Sequence, residues 1–397
     1  MDSHPEDGAD VGAGGDDEQF LNVDEVAEMI PLDENDQIDN NEENDEAGEG
    51  DGDEETESDD ALLMVDIHTD SVYSVACGSH FGVSGDGADR AYQWDLLTGE
   101  KKFEFLGHTD SVTSCDINSD ESLVLTGSMD GTIRLWRSID GKLHRSLSGP
   151  SGDIEFARFH PSGPAVLAGD SDGLVWLWSA QSGELIHTLA GHEGAVTVGN
   201  FSGDGKLIVT GDDKGSIIAW TPKTGQPAQK YQKLHASPIT ALAVHPTQRT
   251  ALTGAEDGSI ALINLDTGRT MHKVNDAHSE SVESVAFAAP EFKLCATASV
   301  DGAAHVWDLN TGLKRLSVSH SDSVTSLIFH STLPIFFTSS ADGKVRGFDA
   351  RTGEMNFEKV GHHAPILCFA LSKDGKKLVS GADDHLIGVF DATVNQE

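Results

Sequence analysis

Between residues 61 and 391, apolar positions come in short runs, and the gaps between runs are rich in Gly, Asp, Asn and Ser. In residues 107–142, GHTDSVTSCDINSDESLVLTGSMDGTIRLWRSIDGK, the run SVTSCDI alternates apolar and polar side chains. LVLTGS follows the turn NSDES, TIRLW follows the tight turn MDG, and LHRSLS comes after SIDGK. Each run is shorter than a stable helix needs and is bounded by turn formers, so the stretch predicts four short strands. The same arrangement recurs along the chain. Its third run ends at Trp94, Trp136, Trp178, Trp220, Ile263, Trp307, Phe348 and Phe390, at spacings of 41–44 residues.

Eight four-stranded units at a period near forty predict an all-β fold, an eight-bladed β-propeller over 61–391 whose blades stack face to face. Only DATVNQE follows Phe390, too little for a secure outer strand in the last blade. ALLMVDI before His68 stands where KFEFLG stands before His108. Residues 61–67 are therefore expected to supply the outer strand of the eighth blade and close the ring. Residues 392–397 are read as a C-terminal tail.

Composition changes the picture at the N-terminus. The 397 residues carry 67 Asp+Glu against 26 Lys+Arg, a net −41. Residues 1–60 hold 26 of the acids and no Lys or Arg. So acidic and so poor in apolar residues, 1–60 is expected to be a tail that is disordered when free. Within it, Phe20, Val23, Ala27 and Ile30 fall on one face of a helix that would end at Pro31, a segment able to fold on a partner or to pack on the propeller. The negative charge disfavours binding to nucleic acid phosphates or an anionic membrane, and favours a basic protein. No apolar run reaches membrane-spanning length. The expected location is the cytoplasm, with the nucleus also open, and the expected state is a monomer.

Candidate chemistry is sparse. Cys77, Cys115, Cys295 and Cys368 each sit in an apolar run, and none forms a C-x-x-C pair, so reduced buried thiols are expected. The 18 histidines show no H-E-x-x-H spacing, and neither a G-x-x-x-x-G-K-[ST] phosphate loop nor G-x-S-x-G is present. No catalytic residue, metal ligand or cofactor is assigned, and an enzyme is not expected.

The unit GH…TGSMDGTIRLW resembles the WD-repeat family. Its blades are pinned by a His before strand a, a hydroxyl on strand b, an Asp in the b–c turn and a Trp on strand c. Here His108, Asp130 and Trp136 match, with Thr126 or Ser128 as hydroxyl; so do His278, Asp301 and Trp307, with Thr297 or Ser299. The other blades read as partial. Phe348 and Phe390 end those of His320/Asp342 and His362/Asp384, and Ile263 ends that of His235/Asp257. Lys214 occupies the Asp place in the fourth blade, with Asp213 one residue early, and Pro150 replaces the His in the third. With two complete sets, stacking is expected to dominate stability. Trp176, two residues before Trp178, is expected to pack between blades.

The resemblance puts the loops before strand a and the b–c turns on one face, the top. The phrase HTDSV occurs at 68–72 and 108–112, HSESV at 278–282 and HSDSV at 320–324. It places Asp70, Asp110, Glu280 and Asp322 on that rim. Asp153, Glu155 and Glu193 stand close by, and the b–c turns add Asp86, Asp170, Asp212, Glu256 and Asp383. These twelve acids form the expected partner-binding face, with Arg90 and Lys214 the obvious interrupting bases.

A closer resemblance, carried by GDIEFARFHPSGPAVLAGDSDGLVWLW (152–178) and ILCFALSKDGKKLVSGADDHLIGVF (366–390), is to the angio-associated migratory cell protein family. That family's fungal relative is a chaperone for a basic large-subunit ribosomal protein, holding its positive N-terminal segment on an acidic propeller face in late assembly. Animal members are linked to cell migration and signalling. The resemblance implies an interaction platform, foremost an escort for a basic ribosomal protein. A signalling or cytoskeletal scaffold is one alternative. The other is a ubiquitin-ligase substrate receptor, for which FDAR (348–351) weakly resembles W-D-x-R.

Overall fold

The computed structural model of the chain describes residues 60–393; the acidic tail, its helix-patterned segment at 20–30 and residues 394–397 lie outside the described residues. Thirty-two strands are found among the described residues, grouped into eight four-stranded antiparallel sheets. Seven sheets are consecutive in sequence. In blade 2, for instance, Val112–Ile117, Leu123–Ser128, Ile133–Arg137 and Leu143–Leu147 are strands a to d, from the central channel outwards. The eighth sheet joins the two ends of the described chain. Strand Leu63–Val65 pairs antiparallel with Ile387–Asp391, placing Leu63 opposite Val389 and Val65 opposite Ile387. The ring thereby has no open seam, and its sheet edges are confined to the outer strands.

The burial pattern follows the position of each strand. Strand b is covered on both faces by neighbouring blades, and Thr250–Ala255, Leu294–Ser299 and Ile335–Ser340 are buried at every residue. Strand d forms the rim, so Gln226–Tyr231 and Arg269–Val274 are largely exposed. The core accordingly lies between blades. Phe105 of blade 1 stacks on Trp136 of blade 2 at 4.9 Å, and Phe336 stacks on Phe348 at 5.3 Å in the cluster shared by blades 6 and 7. Where Trp is replaced, Ile263, Phe348 and Phe390 still bury fully or nearly so. Each such side chain contributes about 1.5–3 kcal/mol by leaving water. Stacking thus persists where a blade's polar network is incomplete.

Candidate protein-interaction face

Two short loops per blade build the face. In every blade an amide of the b–c turn donates to a carbonyl in the loop before strand a, at 2.8–3.1 Å: Gly87 to Ser71, Met129 to Ser111, Ser171 to Asp153 and Asp213 to Ala195 in the first four blades. Glu256 to Pro238, Val300 to Ser281, Ala341 to Ser323 and Asp383 to Pro365 complete the ring. Both loop sets therefore share one end of the molecule. The turn glycines also press on the following blade. At Gly258 (φ +76°) a Cβ would lie 2.3 Å from the His278 carbonyl, so only glycine allows both the left-handed backbone and the contact.

Four blades contain a complete pinning network, twice the number read from the sequence. In blade 2 the Trp136 indole donates to Thr126 Oγ1 (2.9 Å), Thr126 donates to His108 Nε2 (2.8 Å), and His108 Nδ1 donates to Asp130 (3.0 Å). An indole can only donate, so the hydroxyl's proton points to Nε2 and the histidine carries its own on Nδ1. Blade 6 repeats this with Trp307, Thr297, His278 and Asp301. Blade 1 achieves it with Trp94, Ser84, His68 and Asp86, and blade 4 with Trp220, Thr210, His192 and Asp212. In these two blades the carboxylate sits at the place of Ser128, two residues before the place of Asp130, and reaches the histidine from the end of strand b. Lys214 is therefore no gap in the fourth network.

Blade 3 uses the same early position differently. Asp170 accepts from the Trp176 indole at 2.7 Å, so Trp176 stands in for the missing histidine, while the Trp178 indole nitrogen has no partner. The expected packing role of Trp176 is thus joined by a polar one. Three of the twelve acids assigned to the surface are consequently structural. Asp86, Asp170 and Asp212 are 0%, 0% and 1% exposed. An acid ending a buried strand b, in SGD, AGD and TGD, was the available signal, because a buried carboxylate must be fully hydrogen-bonded.

The other nine lie as expected on the loop end, where Asp70 is half-buried. Asp110, Asp153, Glu155, Glu193, Glu256, Glu280, Asp322 and Asp383 are exposed. The repeated phrase assigns each residue a task. Histidine pins its blade. The acids Asp70, Asp110 and Asp322 each bond the following amide through one oxygen, at 2.7–2.8 Å. The serine reaches the preceding blade: Ser111 donates to the Gly87 carbonyl, Ser323 to the Val300 carbonyl, and Ser71 to Asp383. Ser128 and Ser299, the alternative hydroxyls, donate to the carbonyls of Asp110 and Glu280 and so anchor the acid-bearing loops.

Bases near this face are engaged elsewhere. Arg90 pairs with Glu104 (3.6 Å), Lys214 with Asp213 (3.0 Å), and Arg346 with Asp342 (2.7 Å) and Glu358 (2.6 Å). Among the described residues, none of the eight exposed acids forms an ion pair with Lys or Arg. Burial and the neighbouring charges of Asp153, Asp170 and Asp213 hold the Glu155 carboxyl above its ordinary value. Arg351, of the FDAR stretch, is instead in a c–d turn at the opposite end, paired with Asp349 at 2.6 Å.

Inside the loop ring, strand a opens the channel with a bulge. The pairing register with strand b slips at the second residue in seven blades, as between Val72 and Ser74 or Val282 and Ser284. A bulge re-aims the extra side chain. Thr113, Thr197 and Thr240 at this level donate to carbonyls of the next blade, Ile154, Ile239 and Val282. Thr325 bonds Ser339 within its own blade. The remaining four blades present Tyr73, Glu155, Glu283 and Leu367. Of these, Tyr73, Glu283 and Leu367 were not among the expected site residues. Among the described residues, no group of three or more His, Cys, Asp or Glu is placed to hold a metal ion, and all four cysteines are free.

Eight blades of this construction, with His–hydroxyl–Trp networks and a loop-built end, define a WD-repeat β-propeller, an interaction scaffold. The family model for the WD domain, G-beta repeat, matches residues 99–137, 141–179, 183–221, 225–264, 269–308, 313–349 and 355–391. Within this class the chain belongs to the angio-associated migratory cell protein family. It is 32% identical to the human angio-associated migratory cell protein over 351 residues, covering 84% of this chain and 80% of that one, and 31% identical to the dog protein over the same shares. Among solved structures, Sqt1 of Saccharomyces cerevisiae is similar, with 26% identity and a TM-score of 0.76, covering 85% of this chain and all of that one. Chaetomium thermophilum Sqt1 bound to the N-terminus of the ribosomal protein L10 shares the fold, with 23% identity and a TM-score of 0.76, covering 84% of this chain and all of that one. No helix among the described residues is long and apolar enough to cross a membrane.

Proposed function

We propose that this chain is an escort for a basic protein, holding an extended cationic segment of a large-subunit ribosomal protein across its loop-built face during assembly. The observation that carries the reading is the set of eight exposed carboxylates, contributed by seven blades to one end, without ion-pair partners among the described Lys and Arg. One exposed pair is worth only about 0.2–1 kcal/mol. A ring of unneutralised charge sums its field within about a Debye length of the face, speeding capture of a basic segment and rejecting acidic ones. The Chaetomium thermophilum Sqt1 complex with the L10 N-terminus supports the choice of client.

The test is fluorescence anisotropy with a labelled peptide of the L10 N-terminus. Affinity should fall steeply between low and high salt. Asp110→Lys, Glu280→Lys and Asp322→Lys together should weaken binding by at least about tenfold, since three attractive pairs become repulsive. Binding that is indifferent to both salt and the triple reversal would refute the escort role.

A further inference from the structure

The mouth of the channel is polarised in a way the surrounding acids are not. Tyr73 and Leu367 occupy the bulge position in blades 1 and 8, next to each other, and are 44% and 36% exposed. They border a cavity of about 450 Å³ that opens on the channel. The Tyr73 ring rises to the loop level, where a Cβ at Gly87 would lie 3.1 Å from both that ring and the Asp70 carboxylate. Across the ring, Glu155 and Glu283 occupy the same position in blades 3 and 6 and line a second cavity of about 250 Å³. Blades 3 and 6 lie symmetrically about the point opposite the seam between blades 8 and 1. Arg158, three residues further along strand a than Glu155, lines both cavities. Strand a runs from the loop end inwards, so a group entering from the face meets Glu155 and Glu283 before it meets the guanidinium.

We infer that the channel mouth is a two-part socket for a cationic segment carrying one aromatic or large aliphatic residue. That residue packs on Tyr73 and Leu367, and a neighbouring Lys or Arg side chain drops between Glu155 and Glu283. The inference rests on the escort reading and adds a selection rule to it. The rim acids attract any basic chain, whereas the mouth distinguishes basic chains by an apolar anchor. A tyrosine and a leucine exposed side by side inside an otherwise polar ring give a partner an apolar contact that charge alone does not supply. The complementary charge on the far side fixes which kind of segment supplies the anchor. Arg158 keeps the cation at the mouth, since deeper entry brings two positive charges together.

Two short fluorescein-labelled peptides test this. Both alternate Lys or Arg with Gly and Ser, and they differ only in a central Tyr or Ser. The full chain should bind the Tyr peptide about tenfold more tightly, the gain expected from partly burying one aromatic side chain. Tyr73→Ser with Leu367→Ser should abolish that preference while keeping the Ser-peptide affinity. Both side chains are exposed, so unchanged melting of this variant shows that the fold is intact. Glu155→Gln with Glu283→Gln should weaken both peptides and flatten their salt dependence, leaving the preference for Tyr. Equal binding of the two peptides to the unaltered chain, with both lost on reversal of Asp110, Glu280 and Asp322, would overturn the socket and leave the escort reading intact. Absence of binding by either peptide at low salt would overturn both.

Discussion

Asp212→Ala separates the buried acids from the exposed ones. The Asp212 carboxylate accepts from His192 Nδ1 at 2.8 Å and from the Ser216 and Lys214 amides at 2.7 and 3.1 Å. The His192 side chain is fully buried and that of Asp212 is 1% exposed. Burial alone would raise the Asp212 carboxyl, but its hydrogen bonds with His192, Ser216 and Lys214 outweigh burial and hold it below the ordinary range. Alanine leaves the histidine and the Ser216 amide without acceptors in a site closed to water, whereas the amide of exposed Lys214 can recruit solvent. At about 1–3 kcal/mol for each of the two orphaned buried donors, the loss comes to about 2–6 kcal/mol. Unfolding entropy of about 2.1 cal/mol/K per residue gives a propeller of this size roughly 0.7 kcal/mol per degree, so melting should drop by about 3–9 °C. Asp322→Ala is the control. Its exposed carboxylate holds only the adjacent Ser323 amide, and the change should stay within about 0.5 kcal/mol. Scanning calorimetry, backed by urea midpoints, reads both variants. Melting temperatures within about a degree of each other would refute the division into structural and surface acids.

Other expectations follow from the same geometry. Trp176→Phe should cost about 1–3 kcal/mol in urea denaturation by leaving the Asp170 carboxylate without its indole donor; a neutral result would mean that water replaces the indole. Burial pushes His235, His305 and His320 down to about 4, with His278 and Lys314 adding at His305, Lys273 at His235 and Arg346 at His320. A histidine whose folded value lies below its unfolded 6.5 takes up its proton first in the unfolded chain. Stability should therefore be complete above about pH 6.5 and fall toward pH 4 by up to about 1.4 kcal/mol per pH unit per group, a slope that a melting series would show or exclude. Burial holds the Cys77, Cys115 and Cys295 thiols up to about 12 and raises Cys368 as well. A chromogenic disulfide reagent should therefore label none of them in the native protein and all four in urea. Removing residues 61–67 should lower the melting temperature sharply, because strand Leu63–Val65 closes the eighth sheet, whereas removing residues 1–58 should not; equal melting of the two truncations would contradict this.

Much was legible because local chemistry is enough to specify it. The period near 42, the alternation within SVTSCDI and the Gly–Asp turns fix strand number and blade number, since strand pleat and turn conformation depend on near neighbours in sequence. His108, Asp130 and Trp136 could be placed because their spacing matches a repeated pattern. Asp86, Asp170 and Asp212 could not. On the chain they are acids beside glycine turns, like Asp383, which is exposed. The glycine–acid ending of strand b hints at them, but packing against the adjoining blade decides that such an acid is a buried acceptor and not a surface charge. The same holds for Trp176, which replaces a histidine that Pro150 displaced some 26 positions earlier.

The sequence alone thus determined the eightfold all-β ring and its excess of acids, because hydrophobic period, turn residues and net charge are properties of the chain taken in order. The tertiary structure decided which carboxylates face solvent, and that Tyr73, Glu155, Glu283 and Leu367 meet around one opening. Those four come from strands as far apart as residues 73 and 367. What a side chain does there depends on ring closure and on the bulge that turns it inwards, and both are set by pairing between distant segments.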